Sequence, residues 1–143
     1  MILTGPAIRA AIANGCLRFS PFDAAALNPN SIDIHLGDTL LQVAKNAPNA
    51  APTRLPLDAQ GRFLEPGQLY LIDSRESFGS DTLVPMVHGK SNIARAGLFV
   101  HANGEMIDLA AFGPYQFQLF PVLPIRVFAG MAVAQVTFWT VQT

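Results

Sequence analysis

SIDIHLG, Ser31 to Gly37, alternates polar and apolar residues so that Ile32, Ile34 and Leu36 fall on one face. Successive side chains of an extended chain point to opposite sides, so a period of two marks a half-buried strand. The helical period of the chain stops here. Upstream, TGPAIRAAIANG at residues 4–15 reads as one short helix: Thr4 is the N-cap and Pro6 sits in the first turn. Ile8, Ala11 and Ile12 give its apolar face, and Asn14-Gly15 stops it. PFDAAAL at 21–27 offers a second helical turn on weaker support.

Downstream the strand pattern continues. TLLQVA follows across a Gly-Asp turn at residues 37 and 38. KNAPNAAPTRLPLDAQG at 45–61 holds three prolines and reads as a surface excursion. QLYLID, TLVPMV, GLFVH, YQFQLF, PIRVF and MAVAQVTFW then come at short intervals, separated by Pro/Gly turns such as Glu65-Pro66-Gly67. Many short strands with regular turns predict an all-β sandwich, jelly roll or barrel. With 143 residues and no repeat or linker, one domain over 1–143 is expected.

Composition narrows the function. Half the residues are apolar and the mean hydropathy is +0.32, which excludes a disordered chain. The net charge of −1 supplies no basic field for nucleic acid or an anionic membrane, and no apolar run approaches a membrane span. Cys16 is the single cysteine, which removes an internal disulfide and a Cys-based zinc site and fits a reducing cytoplasm. The first 15 residues lack the basic and apolar regions of a signal peptide.

Motifs for phosphate-loop, nucleophile-elbow and zinc-protease chemistry are absent, and His35, His88 and His101 are not spaced as ligands. Zinc deaminases need HxE and PCxxC, and neither occurs. Ligation of a metal by the protein's own side chains is therefore not expected.

Polar chemistry concentrates instead in HGKSNIARAGLFVHANGEMID, residues 88–108. Gly89-Lys90-Ser91-Asn92 sets donors beside a flexible residue, with Arg95 five positions past Lys90. Such a group suits an anion, or it is a helical turn with solvated charges. Asp108 in its apolar setting either holds a hydroxyl or water, or caps a turn. His101 closes a strand, Glu105 points to solvent, and Ser31 and Asp33 begin a strand or cap a turn. No one of these decides alone.

Taken in order, the pieces resemble the dCTP deaminases. NPNSIDIHLG is similar to their first motif, and EPGQLYLIDSRE to their Pro-Gly turn leading into a long strand. GKSNIARAGLFVHANGEMID is similar to their Gly-Arg-Ser-Ser-x-x-Arg-x-Gly…His…Ile-Asp segment without gaps. GMAVAQVTFW resembles a closing Gly-Met-x-Ile-x-Gln strand shared with trimeric dUTPases, and MILTGPAIRAAIANGCLRFSPFD resembles the family's first helix and turn. The resemblance implies a distorted β-barrel or jelly roll with a short N-terminal helix, a homotrimer with sites at subunit interfaces, and a deoxyribonucleoside triphosphate as ligand. Mg²⁺ would ride on the phosphates. By position, Lys90, Ser91 and Arg95 would meet the phosphates and reacting water, with Asn92 beside them in the nucleotide site. Ala102, Asn103 and Gly104 would offer backbone groups to the pyrimidine, and Gln135 is the closing-strand glutamine of the same nucleotide site. Asp108 would hold the deoxyribose 3′-hydroxyl or orient the attacking water.

Three departures shape the expectation. The deaminase glutamate, ten residues beyond the Ile-Asp aspartate, is Gln118 here; an amide can hydrogen-bond but cannot shuttle a proton. Lys90 replaces an arginine and loses bidentate geometry. The family's C-terminal arm over the triphosphate has no counterpart after TFWTVQT. Hydrolysis at the α-phosphate of dCTP or dUTP is thus favoured over deamination. A nucleotide-sequestering relative without turnover and a trimeric scaffold are the alternatives.

Overall fold

The computed structural model describes residues 1–47 and 49–143. Helix α1 spans Gly5–Ala13, with Thr4 Oγ1 accepting from Ala7 N at 3.4 Å. Gly15, at φ +84°, turns the chain away after Asn14. Strand β1, Arg18–Ser20, and a 3₁₀ turn at Ala24–Ala26 follow. Asp23 accepts from Ala25 N and caps that turn, so PFDAAAL is helical for one turn only.

SIDIHLG becomes β2, Ile32–His35, with Ile32 and Ile34 fully buried. The remaining strands are β3 (Thr39–Gln42), β4 (Thr53–Pro56), β5 (Arg62–Leu64), β6 (Tyr70–Gly79) and β7 (Leu83–Gly89). After helix α2 (Ser91–Arg95) come β8 (Leu98–Phe99), β9 (Gly113–Pro121), β10 (Ile125–Val127) and β11 (Ala132–Thr140). The segment expected as a surface excursion contains β4, which pairs with β3 from Thr39–Pro56 to Gln42–Thr53. GLFVH is strand only at Leu98–Phe99; Val100 O still accepts from Gln118 N on β9, and His101 then turns its ring to Val87 O on β7.

The strands build a distorted, nearly closed barrel. One sheet runs β4-β3-β6-β9-β8 with β1 added on β6, a second runs β2-β11-β7, and β10 pairs with β5. A bridge between Leu36 and Ser74 joins the end of β2 to β6 and links the two larger sheets. Between the pairs Asp73–Gln116 and Ser77–Pro114 the β6–β9 register slips. Ser74 Oγ fills the bulge, donating to Glu76 O at 2.6 Å and accepting from Tyr115 N at 2.9 Å.

Alternation sends every second residue inward. Phe78, Phe117 and Phe138 are all but inaccessible to solvent, and Phe78 meets Phe138 edge-on at 6.5 Å. Burying each large ring removes apolar surface worth roughly 25 cal/mol per Å² from water. That closed interior makes the outer ends of β2, β7, β9 and β11 a rigid support for polar side chains.

Candidate functional site

The turn after β7 begins with Lys90. Its backbone N–H donates to Val133 O, and its carbonyl accepts from Ile93 and Ala94, so it is both the end of a strand and the N-cap of α2. Ile93 is buried and anchors the short helix, while Gly97 at φ +93° ends it. The Lys90 ammonium, expected at the phosphates, lies 2.8 Å from Asp33 Oδ1.

Asp33 belongs to a wider cluster. Asn28 Nδ2 donates to Asp33 Oδ1 at 2.8 Å and to Ser31 Oγ at 3.1 Å. Ser31 Oγ in turn donates to Gln135 Oε1 at 2.9 Å. Gln135 stands across from Asp33 on one side and His88 on the other, since β11 lies between β2 and β7. Sheet register thus converges three distant sequence pieces, NPNSID, GK and the closing-strand glutamine. Asn28 and Asp33 were missed as partners, although both sit inside the NPNSIDIHLG motif.

Ser91, Asn92 and Arg95 are exposed, and among the described residues their side chains have no hydrogen-bond or ion-pair partner. They present one guanidinium, one hydroxyl and one amide to solvent from a single helical turn.

A second group forms around the loop at 102–104. His101 Nε2 lies 3.0 Å from Val87 O; a carbonyl only accepts, so Nε2 carries the hydrogen. Glu105 O accepts from Val87 N at 2.7 Å, and Tyr115 Oη donates to Gly104 O at 2.8 Å. Gln118 faces the same loop: its Oε1 accepts from Ala102 N at 3.4 Å, and its Nε2 donates to Gln116 O at 3.1 Å. A methyl group added at Gly104 would sit 3.4 Å from Gln118 Oε1, so glycine lets the loop close on that side chain. Asn103 is exposed at the loop tip.

Electrostatics follow from these surroundings. Burial and then the Glu105 charge push the Tyr115 hydroxyl up to about 12, so it remains a donor. Burial and then neighbouring His101 lower the His88 imidazole below its ordinary 6.5, against a smaller opposing pull from Glu105. His88 Nε2 is 2.8 Å from Thr137 Oγ1, which also accepts from the Trp139 indole.

Asp108 is exposed, and its carboxylate has no partner among the described residues. Its carbonyl accepts from Ala111 N at 3.3 Å, in a turn where Ala110 adopts φ +65°. Within one chain, no hydrogen bond or ion pair among the described residues joins Ser91, Arg95 and Asp108 to one another or to Gln118. The expected site residues therefore come as two separately braced groups, the exposed Ser91, Asn92 and Arg95 of α2, and one exposed carboxylate.

Comparison with known proteins agrees with the fold. The family model for dCTP deaminase-like proteins matches residues 2–141. A dUMP-forming dCTP deaminase of Cytophaga hutchinsonii is 35% identical over 99% of this chain and 84% of its own length. A dCTP deaminase of Rhodopirellula baltica is 33% identical over 99% of this chain and 73% of its own. The crystal structure of 2′-deoxycytidine 5′-triphosphate deaminase from Agrobacterium tumefaciens superposes with a TM-score of 0.81 at 25% identity. That alignment covers 96% of this chain, which spans 46% of the other. The native dUTPase of EIAV shares the fold, with a TM-score of 0.50 over 71% of this chain and 84% of its own at 19% identity.

Proposed function

The chain belongs to the dCTP deaminase-like family, and on that premise we propose that it binds dCTP or dUTP and hydrolyses it at the α-phosphate rather than deaminating its base. One observation carries the choice of reaction. Gln118 stands against the 102–104 loop, where the family resemblance sets the pyrimidine, and it is an amide. Deamination at C4 needs a group that takes a proton from water and returns it to the departing nitrogen, and a neutral amide does neither. Hydrolysis at phosphorus asks only for an oriented water and charge stabilisation on oxygen, and the exposed groups supply both.

In this reading Ser91, Asn92 and Arg95 hold the phosphates, with Arg95 giving planar, paired contacts. The backbone of Ala102, Asn103 and Gly104 reads the pyrimidine edge, and Tyr115 keeps that backbone in place. Gln135 and Lys90 belong to the braced cluster behind the phosphates. Asp108 accepts from the attacking water or the deoxyribose hydroxyl. Its free carboxylate leaves both lone-pair sets available.

The two groups complete one site when copies of the chain meet, and a homotrimer is the assembly the resemblance implies. Its support here is an apolar surface: Phe99 and Phe120 are paired across β8 and β9 and remain 56% and 38% exposed. Among the described residues no group of three or more His, Cys, Asp or Glu side chains is placed to hold a metal ion. Mg²⁺ carried on the phosphates, as the resemblance implies, would neutralise charge on the phosphate oxygens.

A second reading, a nucleotide-sequestering protein without turnover, is favoured by the same amide if dCTP is the true ligand. Stoichiometric protein mixed with dCTP, dUTP, dTTP and Mg²⁺, then filtered and resolved by ion exchange, separates the cases. We expect dUMP or dCMP as the new peak. Loss of one intact nucleotide into the protein fraction supports sequestration, and an unchanged filtrate removes both readings in favour of a scaffold.

A further inference from the structure

A hydrogen-bonded polar cluster lies behind the turn that carries Ser91 and Arg95. Asp33 Oδ1 receives Lys90 Nζ and Asn28 Nδ2, each at 2.8 Å, and the lysine and aspartate side chains are 24% and 18% exposed. The chain's other lysine, Lys45, contrasts with this: it is 55% exposed and 3.7 Å from Glu65.

Lys90 is placed to transmit that grip. Its backbone, directly after β7, ties the first turn of α2 to β11 through three hydrogen bonds, to Val133 on β11 and to Ile93 and Ala94 of α2. Its ammonium reaches across to β2. Ser91 follows it directly and Arg95 lies just over one turn on, both exposed. If the ammonium left for a phosphate, Asp33 would keep a mostly buried charge beside an incoming anion, an arrangement with a large penalty.

We propose that Asp33 is a positioning residue acting through Lys90: the pair persists when nucleotide binds and struts α2 against β2. Lys90 then makes no phosphate contact, and Ser91 and Arg95 meet the anion. This inference rests on the reading of the site as a nucleotide site.

Because the chain has only two lysines, its side-chain nitrogens give a two-signal NMR spectrum after lysine labelling with ¹⁵N. Without ligand, Lys90 is expected to be the slower-exchanging ammonium. On titration with Mg²⁺ and non-hydrolysable α,β-imido-dUTP, its signal should stay in place, while in a second sample labelled with ¹⁵N-arginine the Arg95 side-chain signal moves. Asp33→Asn should weaken binding about tenfold by misplacing the turn. The double variant Asp33→Asn/Lys90→Gln, which rebuilds the contact between two neutral amides, should recover most of that loss.

A Lys90 signal that moves in step with saturation would overturn the proposal and make Lys90 a phosphate ligand. So would a double variant that binds worse than Asp33→Asn alone. Should Asp33→Asn not fold, the wild-type titration decides by itself. A wild type that binds no nucleotide sinks the underlying reading and this inference with it. The ligand-free exchange rates would then still report the ion pair separately.

Discussion

Tyr115 Oη and the carbonyl oxygen of Gly104 stand 2.8 Å apart, which ties the 102–104 loop to β9 from beneath. The hydroxyl must donate, because a carbonyl has nothing to give, and its raised pKa keeps the proton there.

Tyr115→Phe should therefore lower stability by about 1–2 kcal/mol, through the lost bond and the abandoned Gly104 carbonyl. The folded-state value of about 12 lies above the ordinary 10.0. The folded form thus holds the proton that the unfolded chain releases between the two. Its stabilisation is complete below pH 10 and disappears as pH rises toward about 12. Thermal midpoints measured across that window should fall more steeply for the wild type than for the phenylalanine variant. Parallel curves would detach the hydroxyl from this role.

Gln118→Glu should restore a group able to carry a proton at the pyrimidine. We expect dUTP formation from dCTP to rise by about 10²-fold or more over the parent. The variant's fold should be intact, since the side chain is half-exposed at the end of its contacts with Ala102 and Gln116. If dCTP remains untouched, position 118 is not where the base reacts.

Asp108→Ala separates chemistry from folding. The carboxylate is exposed and unpartnered, so the thermal midpoint should barely change, with a free-energy effect within about 0.5 kcal/mol. Nucleotide turnover should drop by about 10²-fold or more. Full activity in this variant would remove Asp108 from the site.

His88 predicts an acid limit. Burial lowers its folded-state pKa beneath 6.5, so the unfolded chain takes up a proton that the folded chain resists. Stability is then complete above about pH 6.5 and declines as pH falls toward the lowered value. His88→Gln, which keeps a hydrogen-bonding group near Thr137 but does not titrate, should flatten the urea midpoint between pH 7 and 5. A persistent slope in that variant would assign the acid sensitivity elsewhere.

Reading these elements from sequence succeeded where the signal is local. Ile32, Ile34 and Leu36 alternate within seven residues, and Thr4, Pro6 and Gly15 bracket one helix. β1, β4 and β5 escaped because within RFS, TRLP and RFL no two large apolar side chains stand two positions apart, as they do in IDIH and IRV, so no alternation shows. β4 is further masked by prolines that suit its place at the edge of the sheet. The site residues on 88–108 could be named from motif order, but the Lys90–Asp33 pair could not. It depends on β11 lying between β2 and β7, and such pairing between distant segments leaves no trace in a short window. Tyr115 was hidden for a similar reason: on its strand it reads as one more inward-facing aromatic residue.

The position of β11 also bears on how the protein is made. Residues 132–140 form the middle of the β2-β11-β7 sheet, although β2 leaves the ribosome about a hundred residues earlier. Until that segment emerges, the nascent chain holds two strands with open edges and with Ile32, Ile34 and Val87 uncovered. Unpaired edges of this kind are where newly synthesised chains stick to one another. Closing the β2-β11-β7 sheet thus waits until residues 132–140 have followed β2 by about a hundred residues.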